Sequence, residues 1–124
     1  MSRASVSAVS PFARTVGYSR AVREGRHVYV SGTAPVGLES DDPYEQAKRC
    51  LAIIVDALRE LGAGPEHVVR TRSFIVDPAD WDAVGRAHGE LFGSVRPATS
   101  MLVISALLDP AWKVEIEADA LLPE

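Results

Sequence analysis

Acidic and apolar residues alternate through the segment Val114–Leu121 near the C-terminus. In a β-strand this alternation places Glu115, Glu117 and Asp119 on one face and the apolar side chains on the other. Neighbouring carboxylates repel each other and lose hydration when buried, so such a row must meet water, a cation or a reacting ligand. Because charged residues are mostly exposed, a solvated strand face is one interpretation. A carboxylate that does chemistry in a cleft is the other.

The composition of the chain is that of an ordinary globular protein. With 124 residues, 47% of them hydrophobic and 24% charged, it can bury one core, and we expect a single domain over residues 1–124. The net charge of -4 provides no basic field, so we expect no nucleic-acid partner. No apolar run approaches the roughly 20 residues of a membrane span, and residues 1–10 lack the apolar stretch of a secretion signal. We therefore expect a cytoplasmic protein without a membrane partner, which its single cysteine also suits.

Nothing in the sequence indicates a metal or a cofactor. His27, His67 and His88 have no second histidine four residues away, and one cysteine cannot build a zinc site. No glycine loop could cradle a phosphate, and Ser31 lacks the flanking glycine of a nucleophile elbow. We therefore expect neither a metal nor a cofactor. Trp81, Val84, His88 and Leu91 share one face of a predicted helix. On this mostly apolar face, His88 is either a core or interface histidine or, alternatively, an acid–base group.

The elements that must position the candidate residues begin with a hairpin. Residues 1 to about 15 are small and polar, and they predict an irregular segment or a short edge strand. The strand-like runs 17–22 and 27–31 then flank a turn in which Gly25 can supply a positive φ. This pattern predicts a β-hairpin.

A long helix is predicted to follow a loop at 32–41. Asp42 is a good cap, Pro43 suits the first helical position, and Glu45 stands where it would complete a capping box. Apolar residues then recur at three- and four-residue spacing to about Leu61, which predicts one face docked on a sheet. Cys50 lies on that face, so we interpret it as a core residue rather than a nucleophile.

The second half of the chain predicts one more helix between strands. A strand over 68–76 precedes a helix with Asp77 as its cap and Gly93 as its stop, and a strand over about 99–106 follows. With the acidic-faced strand last, the order is β-β-α-β-α-β-β, an α+β fold with two helices on one sheet face. Because two helices cover only one side of such a sheet, we expect other subunits to bury part of the bare face.

Five short segments of the sequence are Gly17-Tyr18-Ser19-Arg20-Ala21, Val28-Tyr29-Val30-Ser31-Gly32, Glu45-Gln46, Arg96-Pro97-Ala98-Thr99-Ser100 and Val114-Glu115-Ile116-Glu117-Ala118. In this order and at similar spacing, they resemble the Rid superfamily of reactive-intermediate deaminases, long labelled YjgF or "endoribonuclease L-PSP". The resemblance runs from about Val16 to Leu121. It implies a chorismate-mutase-like mixed β-sheet with two helices packed on one face, assembled as a homotrimer with small-molecule clefts between neighbouring subunits.

The resemblance also implies a chemistry, the hydrolysis of 2-imino and 2-amino-2-enoic acids to a 2-keto acid and ammonia. An imine carbon is already electrophilic, so the site needs a positioned water, a carboxylate to orient it, and hydrogen bonds that hold the substrate. Glu115 matches the family's catalytic, water-orienting carboxylate. The implied substrate-binding residues are Tyr18, Ser31, Gly32, Thr99, Ser100 and Met101, with Ser100 and Met101 offering backbone groups.

Thr99 is the main departure from the family pattern, whose Pro-Ala-Arg motif has at this position an arginine that clamps the substrate carboxylate. A charge-assisted bond of this kind is worth roughly 1.5 to 3 kcal/mol, or about 10- to 150-fold in binding. Met101 replaces a cysteine and makes that wall larger and more apolar. We therefore do not expect efficient hydrolysis of 2-aminoacrylate. Arg96 and Arg72 are the alternative anion anchors, although Arg72 also fits a structural ion pair.

The sequence is compatible with three functions. The first is Rid-type hydrolysis of an imine or enamine whose substituent is less acidic, larger or more apolar than that of 2-aminoacrylate. The second is a non-catalytic, trimeric small-molecule-binding module on the same scaffold. The third follows the older label, a ribonuclease or translation inhibitor, which the acidic balance disfavours. The fold cannot choose among them, because function resides in the site.

Overall fold

A six-stranded mixed sheet forms the central layer of the protein, seen in a computed structural model that describes residues 2–124. The strand order is β1-β2-β3-β6-β4-β5, in which β4 and β5 are parallel and the other neighbours are antiparallel. The strands are β1 (Arg3–Val6), β2 (Ala21–Glu24), β3 (His27–Thr33), β4 (Val68–Ile75), β5 (Ala98–Val103) and β6 (Val114–Leu121). The helices are α1 (Ala13–Val16), α2 (Pro43–Glu60) and α3 (Trp81–Phe92).

The predicted hairpin is confirmed as β2 and β3, with shifted bounds. Glu24 pairs with His27, so the turn is the two residues Gly25 and Arg26, and Gly25 adopts a φ of 61°. The first strand begins later than predicted. Gly17 ends α1 with a φ of 86°, and the chain then runs irregularly to Ala21.

The cap of α2 is confirmed, but its predicted capping box does not form. The Tyr44 backbone N–H donates to Asp42 Oδ1 at 3.0 Å, as the cap requires. The Asp42 N–H, which a box would give to Glu45, donates instead to Ser40 Oγ at 3.1 Å. The helix buries Ala47, Cys50, Leu51, Ile54, Ala57 and Leu58. Cys50 is a buried free thiol, as interpreted from the sequence.

The second predicted helix, α3, is confirmed between Asp77 and Gly93. Asp77 caps a short 3₁₀ turn, in which its carboxylate accepts from the Ala79 N–H at 3.0 Å. Trp81, which the sequence pattern places on the apolar face, is 62% exposed, whereas Val84, Ala87 and Phe92 are buried. Among residues 2–124, no helix is long and apolar enough to cross a bilayer.

The two faces of the sheet differ as the alternation in β6 predicts. Val114, Ile116, Ala118 and Ala120 are buried in the core beneath the helices, where α2 packs on β3 and β6 and α3 packs alongside α2. The acids of β6 lie on the opposite face and are only partly buried. This confirms the register of β6 and the placement of both long helices on one side.

The edge strand β5 is the least covered element. All six of its residues are exposed, including Met101, Leu102 and Val103 at 37%, 42% and 55%. An apolar edge strand that is open on both faces is a ready site for association with another chain.

Candidate active site

Four of the predicted site residues line one cavity of about 310 Å³. They are Tyr18, Ser31, Gly32 and Glu115, which come from the segment before β2, from β3 and from β6. Larger grooves lie between α2 and α3 (about 420 Å³), beside the loop 35–41 (about 850 Å³) and beside the β2–β3 turn (about 700 Å³), but none of these three brings the predicted residues together. The other lining residues are Ser10, Phe12, Val16, Arg20, Ala34, Val36, Leu108 and Trp112.

A β-bulge brings the backbone of β3 against the Glu115 carboxylate. Between Val30, opposite Ala118, and Thr33, opposite Ile116, β3 advances three residues while β6 advances two. The extra residue lies in the Ser31–Gly32 pair. A Cβ built on Gly32 would collide with Glu115 Oε1, so only glycine leaves room for the carboxylate at its present position.

The row of acids on β6 separates into different environments. Glu117 pairs with Arg72 at 3.2 Å, and Asp119 lies opposite Arg70 across the strand pair. Glu115 instead faces the cavity. Glu117 is therefore a solvated carboxylate neutralised by a cation, whereas Glu115 is the carboxylate that lies in a cleft. Arg72 does not line the cavity, and it forms the structural ion pair with Glu117 that was one of its two predicted roles.

Glu115 is a half-buried carboxyl group whose protonation is tuned by its surroundings. Burial is the largest cause that raises its pKa, the Arg20 guanidinium partly opposes this, and the charge of Glu117 adds to it. No hydrogen bond from residues 2–124 contributes to the shift. The carboxylate is therefore open to a water molecule, and its raised pKa brings it closer to the range of an effective general base at neutral pH.

Ser31 has a restricted hydrogen-bonding role in the cavity. Its hydroxyl donates to the Ser19 carbonyl at 2.7 Å, so its single proton is already engaged. The oxygen can still accept a bond. Ser31 could thus receive an N–H group of a ligand but could not donate to a ligand oxygen without breaking the bond to Ser19.

The predicted residues of β5 lie apart from this cavity in a single chain. Thr99, Ser100 and Met101 do not line it, and β4 separates their strand from β6, a spacing of roughly 10 Å. Thr99 Oγ1 instead lies 2.7 Å from Thr71 Oγ1, which in turn is 2.7 Å from His88 Nε2. The predicted site is thus in two parts within one chain.

His88 and Arg96 belong to a different part of the surface. Both line a second cavity of about 310 Å³ at the end of α3, and Arg96 has a left-handed φ of 58°. Burial lowers the pKa of His88, which favours the neutral imidazole in its bond with Thr71. Arg96 therefore does not reach the Glu115 cavity of its own chain.

Arg20, Phe12 and Trp112 also line the cavity, but the sequence did not predict them as site residues. Arg20 is only 8% exposed, and its Nη2 donates to the Gly32 carbonyl at 2.5 Å. Its guanidinium carbon lies 5.9 Å from the centroid of the Tyr18 ring. Phe12 and Trp112 come from irregular segments whose positions no periodicity reveals. Arg20 could have been predicted from its spacing to Tyr18, because residues two positions apart in an extended segment lie on the same side.

The residues of this cavity include a carboxylate and hydroxyl groups that can take part in acid–base chemistry. Within the described range 2–124, no group of three His, Cys, Asp or Glu side chains is placed to hold a metal ion. The arrangement combines an accessible carboxylate, a hydrogen-bond acceptor, a guanidinium and apolar walls. It suits the activation of water against a small organic ligand.

Comparison with known proteins agrees with this geometry over almost the whole chain. Residues 8–122 match the family model described as Endoribonuclease L-PSP. The chain belongs to this family, the Rid or YjgF superfamily. The predicted family and its mixed-sheet α+β fold with two main helices are therefore confirmed.

Several members of the Rid superfamily resemble this chain along most of its length. An uncharacterized protein of Streptomyces coelicolor is 42% identical over 119 residues, 93% of this chain and 89% of that protein. The crystal structure of a Mycobacterium tuberculosis member of the YjgF/YER057c/UK114 family is 45% identical, with a TM-score of 0.91, and covers 98% of this chain and 100% of that one. The human 2-iminobutanoate/2-iminopropanoate deaminase is 30% identical over 109 residues, 84% of this chain and 79% of that protein.

Proposed function

We propose that this Rid protein hydrolyses a reactive imine, or the enamine in equilibrium with it, to a carbonyl compound and ammonia. The proposal is supported above all by the open Glu115 carboxylate on the cavity shared with Tyr18, Ser31 and Gly32. The human relative named as an imine deaminase supports the same class of reaction.

In the proposed reaction, Glu115 takes a proton from water as the water oxygen attacks the imine carbon. The C–O bond forms while the C=N bond becomes a single bond, giving a tetrahedral carbinolamine. Glu115 returns this proton to the nitrogen, and the proton of the new hydroxyl group then moves to the nitrogen as well, again through Glu115. The C–N bond breaks, ammonia leaves and the C=O bond forms. A positioned base of this kind contributes typically 10²- to 10⁴-fold.

Other cavity residues have defined parts in this scheme. Ser31 Oγ accepts an N–H of the substrate, because its own proton is donated to Ser19. Gly32 permits the carboxylate to approach the backbone and so fixes its distance from the attacking water. The ring of Tyr18 forms a wall of the cavity.

We further propose that a homotrimer completes the site. The exposed edge strand β5, with Met101, Leu102 and Val103 open to solvent, is the surface best suited to meet a second copy. Such contact would bring Thr99, Ser100 and Met101 of one copy to the cavity of its neighbour. Light scattering tests this assembly, and a monodisperse monomer at working concentration would contradict it.

A non-catalytic binding module is the alternative that one observation favours. The resemblance of the segment 96–100 implies that Thr99 takes the position of the family's clamping arginine, and the Thr99 hydroxyl is bonded to Thr71. A site that held a ligand but turned nothing over would show ligand-dependent thermal stabilisation without product. RNA cleavage has less support, because Arg20 is the only cation lining the cavity within residues 2–124 and the net charge is -4.

Imines generated in solution by an amino-acid oxidase test the proposed hydrolysis. Ammonia and keto-acid release should exceed the uncatalysed rate, and Glu115→Gln should lower the enzymatic rate by about 100-fold or more. Glu117→Gln is the matched control, because it removes a carboxylate from the same face of β6 but outside the cavity, and its rate should stay near wild type. Release at the uncatalysed rate for every imine, or equal rates for wild type and Glu115→Gln, would overturn the proposal.

A further inference from the structure

The guanidinium group of Arg20 is buried in the wall of the Glu115 cavity, and it has no part in the imine hydrolysis proposed above. It is only 8% exposed, and of the described residues 2–124 that line the cavity it is the sole cation. Charged side chains are rarely buried to this degree unless they are paired or functional. The position of Arg20 therefore requires an explanation.

The hydrogen bonds of Arg20 are incomplete. An arginine carries five N–H donors, and here Nη2 donates to the Gly32 carbonyl. Nε is buried and has no acceptor within residues 2–124. A buried donor without an acceptor destabilises the folded state, so the guanidinium is poised to gain from an incoming acceptor.

Glu115 does not fill that role. The two side chains influence each other through their charges, which raises the pKa of Arg20 and lowers that of Glu115 relative to burial alone. No hydrogen bond and no ion pair joins the two side chains among the described residues 2–124. The charge of Arg20 thus stabilises the ionised form of Glu115 without a direct contact. The Arg20 Nε–H therefore remains without an acceptor.

We propose that Arg20 binds the carboxylate of the substrate, so that the anion anchor lies in the segment before β2 and not at Thr99. This inference rests on the proposed imine hydrolysis. A carboxylate attached to the imine carbon, held on Arg20, leaves that carbon beside it for water activated by Glu115. Arginine suits this role because its planar donors match a carboxylate.

The other walls indicate what the substrate carries besides its carboxylate. Phe12, Val36, Leu108 and Trp112 provide large apolar surfaces in the same cavity. Burial of an apolar substituent against such walls favours binding. The substrate class is therefore the 2-imino acids with larger apolar side chains, rather than the small 2-aminoacrylate.

Binding of a product analogue tests the anchor without any need for turnover. The probes are 4-methyl-2-oxopentanoate and its neutral methyl ester, titrated calorimetrically against the full-length protein. Wild type should bind the acid about 10- to 150-fold more tightly than the ester, the range expected for a charge-assisted bond. Equal affinities for acid and ester would overturn the inference before any variant is made.

Substitutions then assign the preference to a residue. Arg20→Gln should abolish the preference for the acid, because it weakens binding of the acid far more than binding of the ester, while Arg20→Lys should keep part of the preference. Arg23→Gln is the control, because Arg23 also donates to backbone carbonyls, those of Gly25 and Leu61, but lies outside the cavity. A folded Arg20→Gln protein that still prefers the acid would contradict the inference.

Two further variants keep the test decisive if Arg20→Gln does not fold. Arg72→Gln and Arg96→Gln remove the other candidate anchors, and both should retain the preference for the acid. Loss of the preference in either one would overturn the assignment to Arg20. The outcomes also separate this inference from the proposed function. Acid-selective binding without any imine turnover refutes the hydrolysis alone, whereas normal turnover without acid selectivity refutes the anchor alone.

Discussion

The substitution Gly32→Ala tests whether the close approach of β3 to Glu115 matters for catalysis rather than for folding. A Cβ at this position collides with Glu115 Oε1, so the carboxylate must retreat by about 1 Å to reach ordinary van der Waals contact. A misplacement of that size at a reacting group lowers the rate by about 100-fold. We therefore expect kcat for imine hydrolysis to fall by about two orders of magnitude.

The same substitution should have little effect on stability. Gly32 has no left-handed φ, so alanine can adopt its backbone conformation, and the displaced atom is the end of a flexible side chain. Alanine also loses less conformational freedom on folding than glycine. The free energy of unfolding should therefore change by less than about 1 kcal/mol.

Two measurements on matched variants decide this prediction. Steady-state hydrolysis and urea unfolding are compared for wild type, Gly32→Ala and the control Gly85→Ala, whose added Cβ meets nothing within 4 Å. The control should keep the wild-type rate. If folded Gly32→Ala retained kcat within about threefold of wild type, the position of the Glu115 carboxylate would not control the reaction.

Three further predictions concern Glu115 and the cap of α2. Because Glu115 must be ionised to accept a proton, kcat/KM should rise with pH through an apparent pKa above the ordinary 4.5, and a profile flat from pH 4 to 8 would contradict this. Its folded pKa is raised, so ionisation of Glu115 destabilises the fold as pH rises above 4.5. Glu115→Gln should therefore have a higher Tm than wild type at pH 7.5 and lose that advantage near pH 4, whereas a lower Tm at pH 7.5 would refute the burial argument. Asp42→Ala should cost about 1 kcal/mol in urea unfolding, while Glu45→Ala should cost much less because the capping box is not formed, and equal losses would contradict that assignment.

The parts of the fold that follow from local periodicity could be predicted from the sequence. The alternation in Val114–Leu121 has one register that buries its apolar residues, and it coincides with β6. The hairpin turn at Gly25 and the cap at Asp42 are likewise local signals. The prediction of a capping box was wrong because the Asp42 N–H donates to Ser40 Oγ in the preceding loop. That loop has no periodic pattern from which this bond could be predicted.

The candidate site could be predicted only where the resemblance supplied residues. Glu115, Ser31 and Gly32 meet because a β-bulge lies between β3 and β6, and the sequence does not indicate this bulge. Arg20 was not singled out because its burial depends on contacts with the bulge and the N-terminal segment. Thr99 is separated from the cavity because β4 lies between β5 and β6, and this strand order depends on long-range pairing that no local pattern in the sequence indicates.

A crystal structure of the assembled protein with 4-methyl-2-oxopentanoate bound would test the central claim most directly. The claim is that water activated by Glu115 attacks a carbon held in the cavity between β3 and β6. We predict that the ketone carbon of the ligand lies within about 3 to 3.5 Å of a water or oxygen hydrogen-bonded to Glu115. A ligand bound elsewhere, or bound in this cavity with its ketone carbon beyond the reach of a Glu115-bound water, would contradict the account.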